Sequence, residues 1–293
     1  MPAGDGGDGG GAGAPGSDAP GTPASNDPGG GTASEGGPST GTTPDPDAID
    51  HPTGATDIVL RVGEEGGFMM MEAVMARVPL FTLYGDGRVL IVRPVEGKVA
   101  PGGIAATEIG EARLTEDQVQ AVLRNALTEG GLGIVKEEFP VMVMDVPTTV
   151  IELNAGGITK RVKVAGLGME PAPGPDAAAL VALATLVERL QAIPTDAVYT
   201  PEALVAVIAQ TELAPGTTAE PWPWPDLEPA DFDQPAPDDM FGFSTHRLTT
   251  DEAAALGVVP GEPAAPRTVT GPDGKAWVLV VRPAMPEETA AGS

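Results

Sequence analysis

The chain has no cysteine, which excludes disulfides, thiol catalysis and zinc–thiolate sites. Histidine is nearly absent too. Beyond residue 56 there is only His246, whereas a zinc site needs about three nitrogen or sulfur ligands. Serine is equally scarce there, limited to Ser244 and the terminal Ser293. A Ser/His/Asp triad would have to draw on Ser244 and His246, with one residue between them and no strained nucleophile turn around them. No apolar run reaches the roughly 18 residues of a membrane span. No phosphate loop or dinucleotide fingerprint occurs either. Gly130-Gly131-Leu132-Gly133 follows a helical stretch and reads as its end cap, so no cofactor is expected.

The first 56 residues lack almost everything that folds a chain. They hold one large aliphatic, Ile49, and no lysine or arginine, and their charges are eight acids. Glycine, proline, alanine, serine and threonine make up nearly all the rest. Such a segment buries too little apolar area to offset the entropy of ordering it, and it reads as a disordered tether over 1–56. A spacer of this composition commonly follows a removed signal peptide or a lipid-modified cysteine. The expectation is therefore an exported protein with a trimmed start, either secreted or tethered at the cell surface, a lipid anchor being one of the two options. Setting those eight acids aside leaves 34 of the 42 against all 16 bases. A field of that sign repels phosphates and anionic lipid, so nucleic acid is discounted as a partner.

Beyond the tether the patterns change. Ile58, Leu60 and Val62 alternate as in a strand that ends at Gly66-Gly67. Phe81 to Tyr84, the turn Gly85-Asp86-Gly87, and Arg88 to Val92 form a hairpin signal that Pro94 closes. Thr115 caps a helix with an apolar stripe at Val119, Val122, Leu123 and Ala126. A second hairpin pairs Thr148–Leu153 with Ile158–Val164 across Asn154-Ala155-Gly156-Gly157. A second helix runs from Asp176 to about Gln191. These elements define an α+β core unit over 57–193, a mostly antiparallel sheet with two main helices on one face. The remaining 194–293 read as a Pro-rich extension. It carries a helix over 201–211, a short helix over 249–256, and a last hairpin that either completes the sheet or forms a small lobe. Asp86-Gly87-Arg88 and Asp273-Gly274-Lys275 echo each other in the two halves.

Three local features stand out. Asp226, Glu228, Asp231, Asp233, Asp238 and Asp239 crowd a short stretch with no base among them. Paired carboxylates or a hard cation would use such groups, but three prolines and an unfamiliar spacing make 226–239 a solvated linker. Pro221-Trp222-Pro223-Trp224-Pro225 places two indoles on a polyproline-like rod. The rod either pins the second half onto the sheet or presents an aromatic strip to a sugar or protein. The run Met69-Met70-Met71 with Met75 reads as core filling, with an adaptable binding groove as the alternative.

Gly66-Gly67-Phe68, the stretch from Pro79 to Gly87, Arg113-Leu114-Thr115, Asp145 to Thr149 and Arg282-Pro283 together resemble a family of uncharacterised secreted bacterial proteins and lipoproteins. That resemblance spans most of 57–285 and implies export without implying an activity. A second similarity is to emfourin-type inhibitors of thermolysin-like metallopeptidases. Those open with a strand ending in Gly-Gly-Phe and continue through a helix and a hairpin to a second helix. Gly66-Gly67-Phe68 matches that opening, whereas Met69-Met70-Met71 departs from its small-residue continuation. The expected function is a non-catalytic, extracytoplasmic module that binds a protein or surface polymer. Gly66, Gly67, Phe68, Met69, Trp222 and Trp224 are its candidate partner-binding residues. A peptidase inhibitor, and a hydrolase working with carboxylates alone, are the alternatives.

Overall fold

In a computed structural model of the chain, the structure describes residues 47–99, 105–140, 145–170, 174–213, 216–234, 242–261 and 264–290. Its elements in order are β1 (Ile58–Gly66), α1 (Met71–Met75), β2 (Phe81–Tyr84), β3 (Arg88–Val99), β4 (Ala105–Arg113), α2 (Glu116–Leu127), β5 (Glu138–Phe139), β6 (Pro147–Ala155), β7 (Ile158–Ala165) and α3 (Ala177–Gln191). There follow β8 (Ala197–Val198), β9 (Leu204–Thr211), β10 (Glu220–Pro221), β11 (Ser244–Leu248), α4 (Thr250–Leu256), β12 (Arg267–Thr270), β13 (Ala276–Pro283) and α5 (Pro286–Ala290). The fold is α+β, with two mixed, mostly antiparallel sheets. The first runs β5-β7-β6-β1-β2-β3-β4-β8 and the second β10-β12-β13-β9-β11. Only β5 with β7 and β10 with β12 pair parallel.

The first sheet follows its sequence signals closely. Arg88 N–H bonds the Asp86 carboxylate at 3.0 Å, and Lys275 N–H bonds Asp273 in the same way, so the echo between the halves lies in a shared hairpin turn. Thr115 and Gln118 form a reciprocal capping box at the start of α2. The stripe of α2 (Val119, Leu123, Ala126) and that of α3 (Leu183, Leu186, Leu190) cover one face, burying Leu60, Val62, Phe81, Leu83, Ile151 and Val164.

Several expectations need correction. Residues 204–211, read as part of a helix, form β9, a strand between β13 and β11. Leu204 to Ala209 are all buried. Burial on both faces erases the period-two alternation by which a strand is recognised. Pro94 does not end the first hairpin, because β3 continues to Val99 and returns as β4. Strand β2 pairs only Val89 to Ile91 of β3. Further along, one edge of β3 has no partner strand among the described residues, and a proline is accepted there. The last hairpin does not complete the first sheet. It joins β9 in the second.

The composition also places residues 47–56 in the tether, yet they lie against the first sheet. Gln120, itself buried, brackets Ile49: its Oε1 accepts from Ile49 N–H at 2.8 Å and its Nε2 donates to Ile49 C=O at 2.9 Å. Gly156 N–H bonds Asp50 C=O at 2.7 Å. One half-buried aliphatic and a few main-chain bonds suffice to lay the segment down. The tether expected over 1–46 lies outside the described residues.

The second sheet has an apolar face on each side. On one, Trp222, Trp224 and Phe232 join Leu204, Ala206, Ile208, Leu256 and Leu279. On the other, Met75 of α1 packs with Val205, Val207, Val278 and Val280, and Met71 lies against them. The C-terminal segment joins the two sheets. Met285 is buried with Tyr84, Leu90 and Tyr199 on the back of the first sheet, while Ala284 belongs to the apolar face of the second.

Candidate functional site

The Gly-Gly-Phe loop sits where β1 leaves the sheet. Gly66 and Gly67 both have positive φ, 62° and 86°, a region L side chains rarely adopt. A side chain at Gly67 would also come within 3.2 Å of the Pro147 backbone. The chain thereby turns sharply over β6, and Phe68 N–H bonds Asp145 C=O at 3.1 Å. Asp145 has φ 64°, the only positive value among the described non-glycine residues. Arg77, just past α1, reaches back to Glu64 C=O at 3.0 Å, to Gly66 C=O at 3.3 Å and to Met69 Sδ at 2.6 Å. The leading end of the loop is thus fixed through main-chain groups, Arg77 also holds the Met69 sulfur, and the Phe68 ring is left outside. Phe68 is 87% exposed, Met69 45% and Met70 51%.

A second loop shares this end of the sheet. Gly166 N–H bonds Pro147 C=O at 2.9 Å, and Met169 N–H bonds Gly166 C=O at 3.1 Å. Met169 is 52% exposed. Both loops are therefore anchored at 145–147 and flank it with Phe68 and three thioethers. The methionine run divides accordingly. Met69 and Met70 face solvent, while Met71 and Met75 turn into the second sheet. Met169, Asp145 and Arg77 were not legible as members of this site, because only the strand ends bring them together.

Trp222 and Trp224 do not form an exposed strip. Trp224 is 4% exposed and donates its indole N–H to Glu252 C=O at 3.0 Å. Half-buried Trp222 donates to Leu227 C=O at 2.6 Å. Their rings meet edge-on at 5.4 Å and both contact Phe232. With the rings packed and their N–H groups satisfied, the rod completes a core.

The groups considered for catalysis are engaged elsewhere. Ser244 is buried on β11, and His246 lies 3.2 Å from Glu252, against the Phe232 ring. That Glu252 closes the capping box of Thr249 at the start of α4. Of the acidic stretch, Glu228 and Asp231 cap a short 3₁₀ turn over Pro229–Asp231, Asp233 bridges Thr245 through backbone, and Asp238 and Asp239 lie outside the described residues. Among the described residues no group of three His, Asp or Glu side chains is positioned to hold a metal ion.

Two half-buried carboxylates of the C-terminal segment each rest on an arginine. Glu287 bonds Arg61 and accepts from the Tyr84 hydroxyl at 2.7 Å. Glu288 takes both arms of Arg282, at 2.9 and 2.7 Å, and Met285 N–H at 2.7 Å. Burial alone would raise the Glu288 carboxyl, but Arg282, the Met285 N–H and the more distant Arg61 outweigh it, and its pKa lies below the usual value. A carboxyl held ionised this way is a poor general acid. Burial lifts the Tyr84 phenol well above its ordinary range and pushes Tyr199 up to about 12, so both hydroxyls stay protonated and donate. A shallow cleft of about 360 Å³ lies beside β7, lined by Ile58, Glu137, Leu153, Thr159, Lys160 and Arg161 among others. Lys160 is turned into the carbonyls of Leu132 and Val135.

No protein-family model, curated protein or solved structure matches the chain.

Proposed function

We propose that the chain is a non-catalytic, extracytoplasmic binding module and that its partner-facing element is the loop carrying Phe68, Met69 and Met70. The observation behind this reading is the pairing of a pinned backbone with exposed apolar side chains. A loop whose ends are fixed by two positive-φ glycines, by the Asp145 carbonyl and by Arg77 has little conformational entropy left to lose on binding. An aromatic ring 87% exposed at its tip, with thioethers beside it, is apolar area held back from the core. Export is supported by the spacer-like composition of the first residues and by the resemblance to secreted proteins.

The pinned, convex shape also favours the narrower reading of a peptidase inhibitor, since a rigid protruding loop fits a concave active site. The two separate in one experiment. A photo-reactive phenylalanine analogue placed at position 68 should give a discrete adduct in cells that make the protein, and one placed at exposed Val259 should not. If the adduct is a metallopeptidase whose hydrolysis rate falls when the purified chain is added, inhibition stands. Adducts that are the same from both positions would remove the loop from the binding surface.

A further inference from the structure

We infer that the second sheet, held by the C-terminal segment, sets the conformation of the Phe68 loop, so that opening the junction between the sheets withdraws the apolar tip. This rests on the reading of that loop as the partner-facing element and names what controls it.

The loop has two anchors on different bodies. Its leading end belongs to the first sheet, through the Gly66–Pro147 register and the Phe68–Asp145 bond. Its trailing end is α1, which has five residues and no side-chain cap at Met70. A helix that short has no intrinsic stability in water. What holds α1 is Met75, 2% exposed among Val205, Val207, Val278 and Val280, with Met71 against the same face. All four valines belong to the second sheet. Arg77 then returns to Glu64, Gly66 and Met69 from the far side of α1, so its grip depends on α1 staying formed.

The junction that keeps α1 docked is itself a discrete clasp. On the side of the first sheet, Glu287 meets Arg61 and the Tyr84 hydroxyl, and Met285 fills the space beside Leu90 and Tyr199. On the other side, Glu288 grips Arg282 of β13, Ala284 N–H bonds Ala203 C=O at 3.0 Å, and Arg247 of β11 donates to Thr289 C=O at 3.2 Å. The Tyr199 hydroxyl closes the set on Ala284 C=O at 2.8 Å. Segment 284–289 is thus the joint common to both sheets. Release there frees the second sheet, α1 loses its only large buried contact, and residues 66–77 lose order together.

Native-state hydrogen exchange on the full chain, followed against sub-denaturing urea, tests this without any partner. The reporters are the amides of Ala73, Val74, Ala76 and Arg77, which donate to Met70, Glu72 and Val74 carbonyls. They should open with the same urea dependence as the amides of β9 and β13, before those of β6 and β7. In the Glu287→Gln/Glu288→Gln double variant that shared opening should become at least tenfold more frequent while β6 and β7 hold. Opening of 73–77 with β6 and β7, in one event common to both sheets, or independently of either sheet, would overturn the inference. The Phe68 adduct experiment reads binding alone, so failure of one measurement is distinguishable from failure of the other.

Discussion

Phe68 and Trp224 are both aromatic residues in short connectors, one set by glycines and the other by prolines, and the fold uses them in opposite ways. Around Trp224 the proline-rich connector bends at Pro223 and Pro225 against the apolar face of the second sheet, and the indole is buried with its N–H on Glu252. Around Phe68 the glycines turn the chain away from the sheet, and the bonds to Asp145 and Arg77 are spent on the backbone rather than on the ring. A rigid connector adjoining an apolar face docks, whereas one folded back on its own strand end projects. Local rigidity is common to both. What differs is whether an unfilled apolar face lies within reach.

That contrast can be broken by substitution. The largest effect should come from Trp224→Ala, which empties the centre of the Trp222–Phe232 cluster. The expected loss is about 3–5 kcal/mol in urea denaturation, the range for a large aromatic leaving a core. A loss under about 1 kcal/mol would mean the rod contributes little to the second sheet.

An intermediate effect should follow acidification. Because the Glu288 carboxyl has a lower pKa folded than unfolded, the unfolded chain binds a proton more readily. Its contribution is therefore complete above the unfolded value of about 4.5 and is lost as pH falls from there through the lower folded pKa. Melting temperature measured from pH 7 down to pH 3 should fall more steeply in the wild type than in Glu288→Gln. Parallel curves would remove Glu288 from the clasp.

The smallest effect on stability should be that of Phe68→Ser, within about 0.5 kcal/mol of the wild type, as for other exposed positions. The same substitution should abolish the partner adduct reported from a probe at Met70. A substantial loss of stability would show that the ring packs after all.

How far the sequence foretold these elements depends on how local their signals are. The hairpins at Asp86-Gly87 and Gly156-Gly157 and the capped helix at Thr115 were legible because their turn and cap chemistry lies within a few residues. Strand β9 was not, since Val205, Val207 and Ile208 sit in an unbroken apolar run that fits either element. Helix α1 was missed because it is short and uncapped, and its reason for existing is a sheet some 130 residues further along the chain. The clasp joins Arg61 to Glu287 across 226 residues, a pairing with no local trace. At the candidate site, Gly66 and Gly67 could be singled out as the end of a strand, and Phe68 only through the Gly-Gly-Phe resemblance. Whether Phe68 or the tryptophans face solvent depended on which apolar faces the fold leaves uncovered.

The distribution of chromophores follows from the same architecture. All three tryptophans, Trp222, Trp224 and Trp277, belong to the second sheet, while Tyr84 and Tyr199, the chain's two tyrosines, sit at the junction. Indole emission therefore reports on one half of the molecule without labelling, and circular dichroism reports on both. If the halves melt together, the two signals superimpose. If the junction opens first, fluorescence will shift at a lower urea concentration than ellipticity, and the gap between the midpoints becomes a direct optical measure of how strongly one sheet depends on the other.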